Sequence, residues 1–169
     1  LQNLLVTEPR PRNRALADAM KRIGVVERSG RGVDTIYRGM LKFGRSAPDY
    51  TRTDAQNVVL RMPTEPADLE FRRLVVDEER RRNAELPIDS LIALGALRQL
   101  KRLSAEELAE HIQRDVASAK RTLEALTEAG FVAAHGATRG RTYMLSAAVY
   151  GAVADKAAYT RQAGFAAFA

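Results

Sequence analysis

The sequence predicts a mainly α protein with a small β-hairpin, an α+β chain whose core is built by helices. Three observations lead there. Trp is absent and only 6% of residues are aromatic, so Leu, Ala and Val must fill the interior, a mixture that favours helices over packed sheets. Apolar residues recur at helical spacing between capping residues and glycines. Two alternating segments, Phe131–His135 and Arg141–Leu145, flank the turn Gly136-Ala137-Thr138-Arg139-Gly140.

Taken in order, residues 1–13 are broken by Pro9 and Pro11, and Asn13 then offers a side-chain N-cap. The first helix carries Leu16, Ala19, Met20 and Ile23 on one face and stops at Gly24. A glycine turn, Glu27–Gly32, leads to a second helix with Val33, Ile36, Tyr37, Met40 and Leu41 as its stripe. Asn57-Val58-Val59-Leu60-Arg61-Met62 reads as a short strand closed by Pro63. Residues 68–86 suit an exposed connecting helix, because signs alternate at i, i+3 and i+4 through Asp77-Glu78-Glu79-Arg80-Arg81-Arg82.

From Pro87 a new block begins. Leu91, Ile92, Leu94, Leu97 and Leu100 predict one long apolar face. Ser104 with Glu107 forms a capping box for a short helix bearing Leu108 and Ile112. A turn at Gln113-Arg114 reaches a second cap, Asp115. The helix it opens buries Val116, Ala119, Leu123 and Leu126 and ends at Gly130. After the hairpin, an Ala-rich helix over 147–162 is expected, with Val149, Val153 and Ala157 as a dimer seam or a packing face for its own module. The organisation expected is therefore 1–67, a helical remnant; 68–86, a connecting helix; 87–146, a compact module; and 147–169, a helix and tail.

Charge and composition narrow the function. The net charge of +6 invites a polyanionic partner, but residues 1–63 hold 12 Lys/Arg against 6 Asp/Glu, so the excess lies outside the module. Cys is absent, which removes disulfides and thiolate metal sites. His111 reads as a packing or surface residue and His135 has no acidic partner at useful spacing, so no metal centre and no catalytic set is expected. No run approaches the roughly 20 apolar residues of a membrane span, and no signal peptide opens the chain, so a cytoplasmic protein is expected. With Leu1 in place of an initiator Met, the chain is expected to be part of a longer polypeptide.

Helix, capped short helix, tight turn, long helix, glycine and hairpin is the order of a winged helix-turn-helix. The spacing Ser118-x-x-Arg121-x-Leu123-x-x-Leu126-x-x-x-Gly130 supplies an inner leucine face and an outer face of small and polar residues near a groove. Ala117, Ser118, Lys120, Arg121 and Thr122 fall on the outer turns. Arg121 suits a base edge, since its fork matches the two major-groove acceptors of guanine. Arg114 and Lys120 suit phosphate, and Arg139 and Arg141 lie on the wing. Duplex DNA and a homodimer are the expected partners, because one winged module reads a half-site. The same fold also serves protein docking.

The chain also resembles the C-terminal portion of bacterial RecG-like or Schlafen/AlbA-type ATP-binding transcriptional regulators. Pro11–Met20, Ile23–Val33, Leu69–Val76 and the winged helix carry the likeness. It implies that residues 1–67 are the tail of an upstream ATP-binding-like domain. It also raises ATP as a ligand, with Ser29, Gly30 and Gly32 as the nucleotide-binding candidates. Gly30-x-Gly32 without a P-loop is a weak phosphate motif and reads first as a turn opening a helix, so no cofactor is expected. The alternative to a DNA-binding regulator is an accessory part of a helicase- or ATPase-related protein whose active residues lie upstream.

Overall fold

A computed structural model describes residues 5, 11–26, 31–137, 140–149 and 151. Among these, six helices are followed by a hairpin: α1 (Arg14–Arg22), α2 (Arg31–Leu41), α3 (Leu69–Arg82), α4 (Ile88–Leu100), α5 (Ala105–Ile112), α6 (Val116–Glu128), β1 (Val132–His135) and β2 (Thr142–Leu145). The chain is mainly helical with a small two-stranded antiparallel sheet, as its composition predicts.

Local chemistry sets the helix ends. Asn13 Oδ1 accepts the Leu16 amide at 2.9 Å, and Gly24, at φ +75°, ends α1. Yet Leu16 and Ile23 remain 58% and 71% exposed, so most of the predicted stripe of α1 is not buried among the described residues, Met20 alone being half-buried. Gly32 is the second residue of α2, in helical conformation with open space where a Cβ would stand. The expected glycine turn therefore does not reach Gly32. The positions 27–30, Ser29 and Gly30 among them, lie outside the described residues.

The core centres on α4, with Leu91, Leu94 and Leu97 fully buried and each worth about 1.5–3 kcal/mol of transfer free energy. Its faces meet α2, α5, α6 and β2. Gly95 lets α2 come close, since a Cβ there would stand 3.0 Å from Leu41 Cδ2. Leu100, expected in the apolar face, is 53% exposed at the helix end.

Residues 68–86 depart from a simple solvated connector. Phe71 and Val75 on α3 are buried against the core, while Arg80 and Asp77 pair on the outer face at 3.7 Å. The carboxylate of Glu78 is itself buried and takes two bonds from Arg81, each 2.7 Å. A second cation, Arg98 of α4, binds the loop after α2 to the start of α3. Its Nη1 donates to the Gly44 carbonyl and its Nη2 to Asp68 Oδ2 at 2.7 Å, while the guanidinium lies 4.6 Å from the Phe71 ring centroid. Desolvation by burial pulls the Arg98 guanidinium below its ordinary value, partly countered by Asp68.

The strand expected at 57–62 is not formed. Its backbone pairs in one antiparallel bridge, Asp49 with Arg61, and Thr53 Oγ1 binds both the amide and the carbonyl of Val59. A hydroxyl thus meets needs that a neighbouring strand would have met, and Val58 stays 80% exposed.

Between α4 and α5, Leu103 exchanges backbone bonds of 3.0 and 2.8 Å with Tyr143. This adds a short third rung beside β2, a pairing that no local pattern announces. In the hairpin Val132 faces Leu145 and His135 faces Thr142. Residues 147–149 and 151 are helical, and Val149 is 4% exposed in the core, so it is not free for a dimer seam. The rest of the expected C-terminal helix lies outside the described residues.

Candidate nucleic-acid interface

The site is assembled by two consecutive caps. Ser104 Oγ accepts the Glu107 amide at 3.2 Å and Glu107 Oε2 accepts the Ser104 amide at 2.7 Å, the reciprocal box predicted for α5. The α5–α6 turn is made by Gln113 in left-handed conformation, φ 57°, with the Arg114 amide bonded to Ala109 O at 3.1 Å. Gln113 Oε1 also accepts the amide of Leu5 at 3.2 Å. The turn delivers Asp115, whose Oδ1 accepts the Ser118 amide at 2.7 Å and opens α6.

On α6 the inner face is Ala119, Leu123 and Leu126, all buried. Val116, expected inside, is 36% exposed at the helix entrance. The outer face presents Ala117, Lys120 and Arg121 in the first turns, then Glu124 and Glu128. Cations therefore lead and carboxylates trail along one exposed line. Lys120 forms no ion pair among the described residues. Arg121 Nη2 donates to Ser118 Oγ at 3.0 Å, and that hydroxyl donates to Asp115 Oδ2 at 3.2 Å. The Thr122 hydroxyl turns back to the Ser118 carbonyl at 3.1 Å, leaving it half-buried against its own helix. Hydrogen bonds from the Ser118 amide and hydroxyl hold the Asp115 carboxyl below its usual range, with Arg121 adding to the effect.

Of the other candidates, Arg114 is exposed but engaged: its Nε lies 2.9 Å from Asp89 Oδ2. Arg141 stands exposed just before β2. Arg139 lies outside the described residues. Gly136, at φ +83°, permits the hairpin, since a Cβ would stand 2.9 Å from the Gly140 carbonyl oxygen. Two participants are not among the residues expected from sequence: Asp115 as more than a cap, and Asp89 as the partner of Arg114. The spacing Asp115-x-x-Ser118-x-x-Arg121 is the available signal for the first. His111 and His135 are both exposed. Among the described residues no group of three or more His, Asp or Glu is placed to hold a metal ion. Nor is any described helix long and apolar enough to cross a membrane.

Parts of the chain are similar to known proteins. Residues 1–61 match the family model described as "Putative ATP-dependent DNA helicase recG C-terminal", which supports a likeness of the first third of the chain to a RecG-like C-terminal portion. A solved structure, the DIP2311 protein from Corynebacterium diphtheriae, superposes with a TM-score of 0.69 at 25% identity over 89% of this chain. The chain spans 30% of the length of that protein. No curated protein matches.

Proposed function

We propose that residues 87–146 are a winged helix-turn-helix that binds duplex DNA, with α6 entering the major groove, in a transcriptional regulator. The observation that carries this is the exposed line of α6. A small residue, Ala117, and two cations, Lys120 and Arg121, occupy its leading turns, while Glu124 and Glu128 stand further back. That polarity suits a helix whose N-terminal half meets bases and phosphates and whose far end stays out of the groove. The Leu103–Tyr143 rung and the hairpin support the same reading, because they seat a wing beside α6. Ser118 and Thr122 flank the line, and Arg141 is the wing's described cation.

On this reading residues 1–67 are the tail of an upstream ATP-binding-like domain and the chain has no catalytic centre of its own. A cytoplasmic homodimer on two half-sites goes with it. Titrating a labelled duplex from a random-pool selection at two salt concentrations tests the proposal. Roughly three phosphates neutralised give a log–log slope near −3, and a flat response overturns it.

A second reading follows from the helicase description of the family matched over residues 1–61: an accessory part of a nucleotide-dependent protein. It expects Mg-ATP to raise the melting temperature of this chain, since a ligand of the native state stabilises it. The DNA-binding reading expects no rise.

A further inference from the structure

Resting on the DNA-binding reading of α6, we infer that Asp115 and Ser118 act as positioning residues that aim Arg121 at a base edge rather than at phosphate. The chain of bonds is directional. The Ser118 hydroxyl donates its proton to Asp115 Oδ2 at 3.2 Å and so presents a lone pair to Arg121 Nη2 at 3.0 Å. Asp115 is in turn fixed by the Ser118 amide at 2.7 Å, so the carboxylate is built into the helix start and does not swing. Asp115 is the N-cap of α6, and Ser118 and Arg121 follow at i+3 and i+6, each one turn beyond the last.

Two consequences follow. Free in water, an arginine side chain samples many rotamers and loses that freedom on docking. Here one of its five donors is already committed to Ser118, while the others remain for the paired acceptors of guanine. The affinity gained is therefore directional. Secondly, the Asp115 carboxylate offsets the Arg121 charge, which reduces the sequence-independent pull of phosphate. Specific binding gains geometry and non-specific binding loses charge.

The test compares affinities for the best duplex from a random-pool selection and for a scrambled duplex, in the unmutated protein and in S118A, S118T, D115S and R121A. S118A keeps the cap, because Asp115 accepts from the backbone amide of residue 118. D115S keeps a capping hydroxyl. S118A and D115S are expected to lower the ratio of specific to non-specific affinity by about three- to tenfold, the range to which ordering one side chain converts. S118T, which keeps the hydroxyl, restores the ratio. Melting curves confirm that each variant is folded. If R121A loses discrimination while S118A matches the unmutated protein, the tether is idle and the inference fails although the DNA-binding reading stands. S118T behaving like S118A has the same meaning. Absence of salt-dependent binding by the unmutated protein, seen before any variant is made, removes both.

Discussion

Arg114 Nε lies 2.9 Å from Asp89 Oδ2, tying the turn ahead of α6 to the first turn of α4. The pair is half in water, and its charges cancel as seen from a phosphate. Arg114→Ala should therefore reduce duplex affinity less than Lys120→Ala or Arg121→Ala. Asp89→Asn should do the opposite, freeing a cation and steepening the log–log salt slope by about 1. Titrations of the variants at two salt concentrations decide this. A loss for Arg114→Ala equal to that for Arg121→Ala would show that the ion pair opens on binding.

Glycine substitutions should separate by position. Gly32 and Gly39 sit in α2 without a left-handed φ, and a Cβ added at either would have nothing within 4 Å. Alanine at either should raise stability by about 0.5–1 kcal/mol, through helix propensity and a less flexible unfolded chain. Gly44, at φ +66°, is the contrast: a Cβ there would meet Asp68 Cβ at 2.8 Å as well as Arg98. Gly44→Ala should destabilise by more than about 1 kcal/mol, beyond the usual cost of a residue held at positive φ. Thermal melts rank the three, and equal shifts would contradict the packing described.

Removing Arg98 should be among the most harmful single changes in the chain. Arg98→Ala leaves Asp68 without its cation and the Gly44 carbonyl without its donor, in a site where both side chains are less than a fifth exposed at 18% and 17%. A cost of roughly 2–4 kcal/mol is expected in denaturant titration, below the full value for a wholly buried pair. A change under about 1 kcal/mol would show that water replaces the guanidinium without loss.

Acid should unfold the chain through its caps. Hydrogen bonds from the partner residues hold Glu107 and Asp115 below their ordinary values of 4.5 and 3.8. A carboxyl depressed in the folded state contributes stability that is complete above its unfolded value and is lost as pH falls through its folded value. The melting temperature should thus hold between about pH 7 and 5 and drop below about pH 4. Glu107→Gln should flatten the drop, and an unaltered acid limb in that variant would assign it to other carboxylates.

The parts of this fold legible in the sequence are those fixed within a few residues. Caps at Asn13, Ser104 and Asp115 need a partner three residues away, and all three form as the spacing predicts. Gly24 and Gly130 stop their helices at φ +75° and +78° for an equally local reason. What is not legible depends on distant chain. Leu103 pairs with Tyr143 across two helices, and Arg114 meets Asp89 from the far end of α5. Val58 and Val59 have strand-forming side chains, but β-propensity measures fit to a neighbour, and Thr53 stands where a strand would be required. On α6 the inner and outer faces follow from periodicity, whereas the Arg121–Ser118 bond depends on the rotamers that two exposed side chains adopt.

Arg98 gives the two ends of the chain a common mechanical fate. It grips the exit of α2 and the entry of α3 while riding on α4, the element against which α5, α6 and β2 are all seated. Shifting the loop at Gly44 relative to α4 would therefore require breaking these bonds or carrying α4 along.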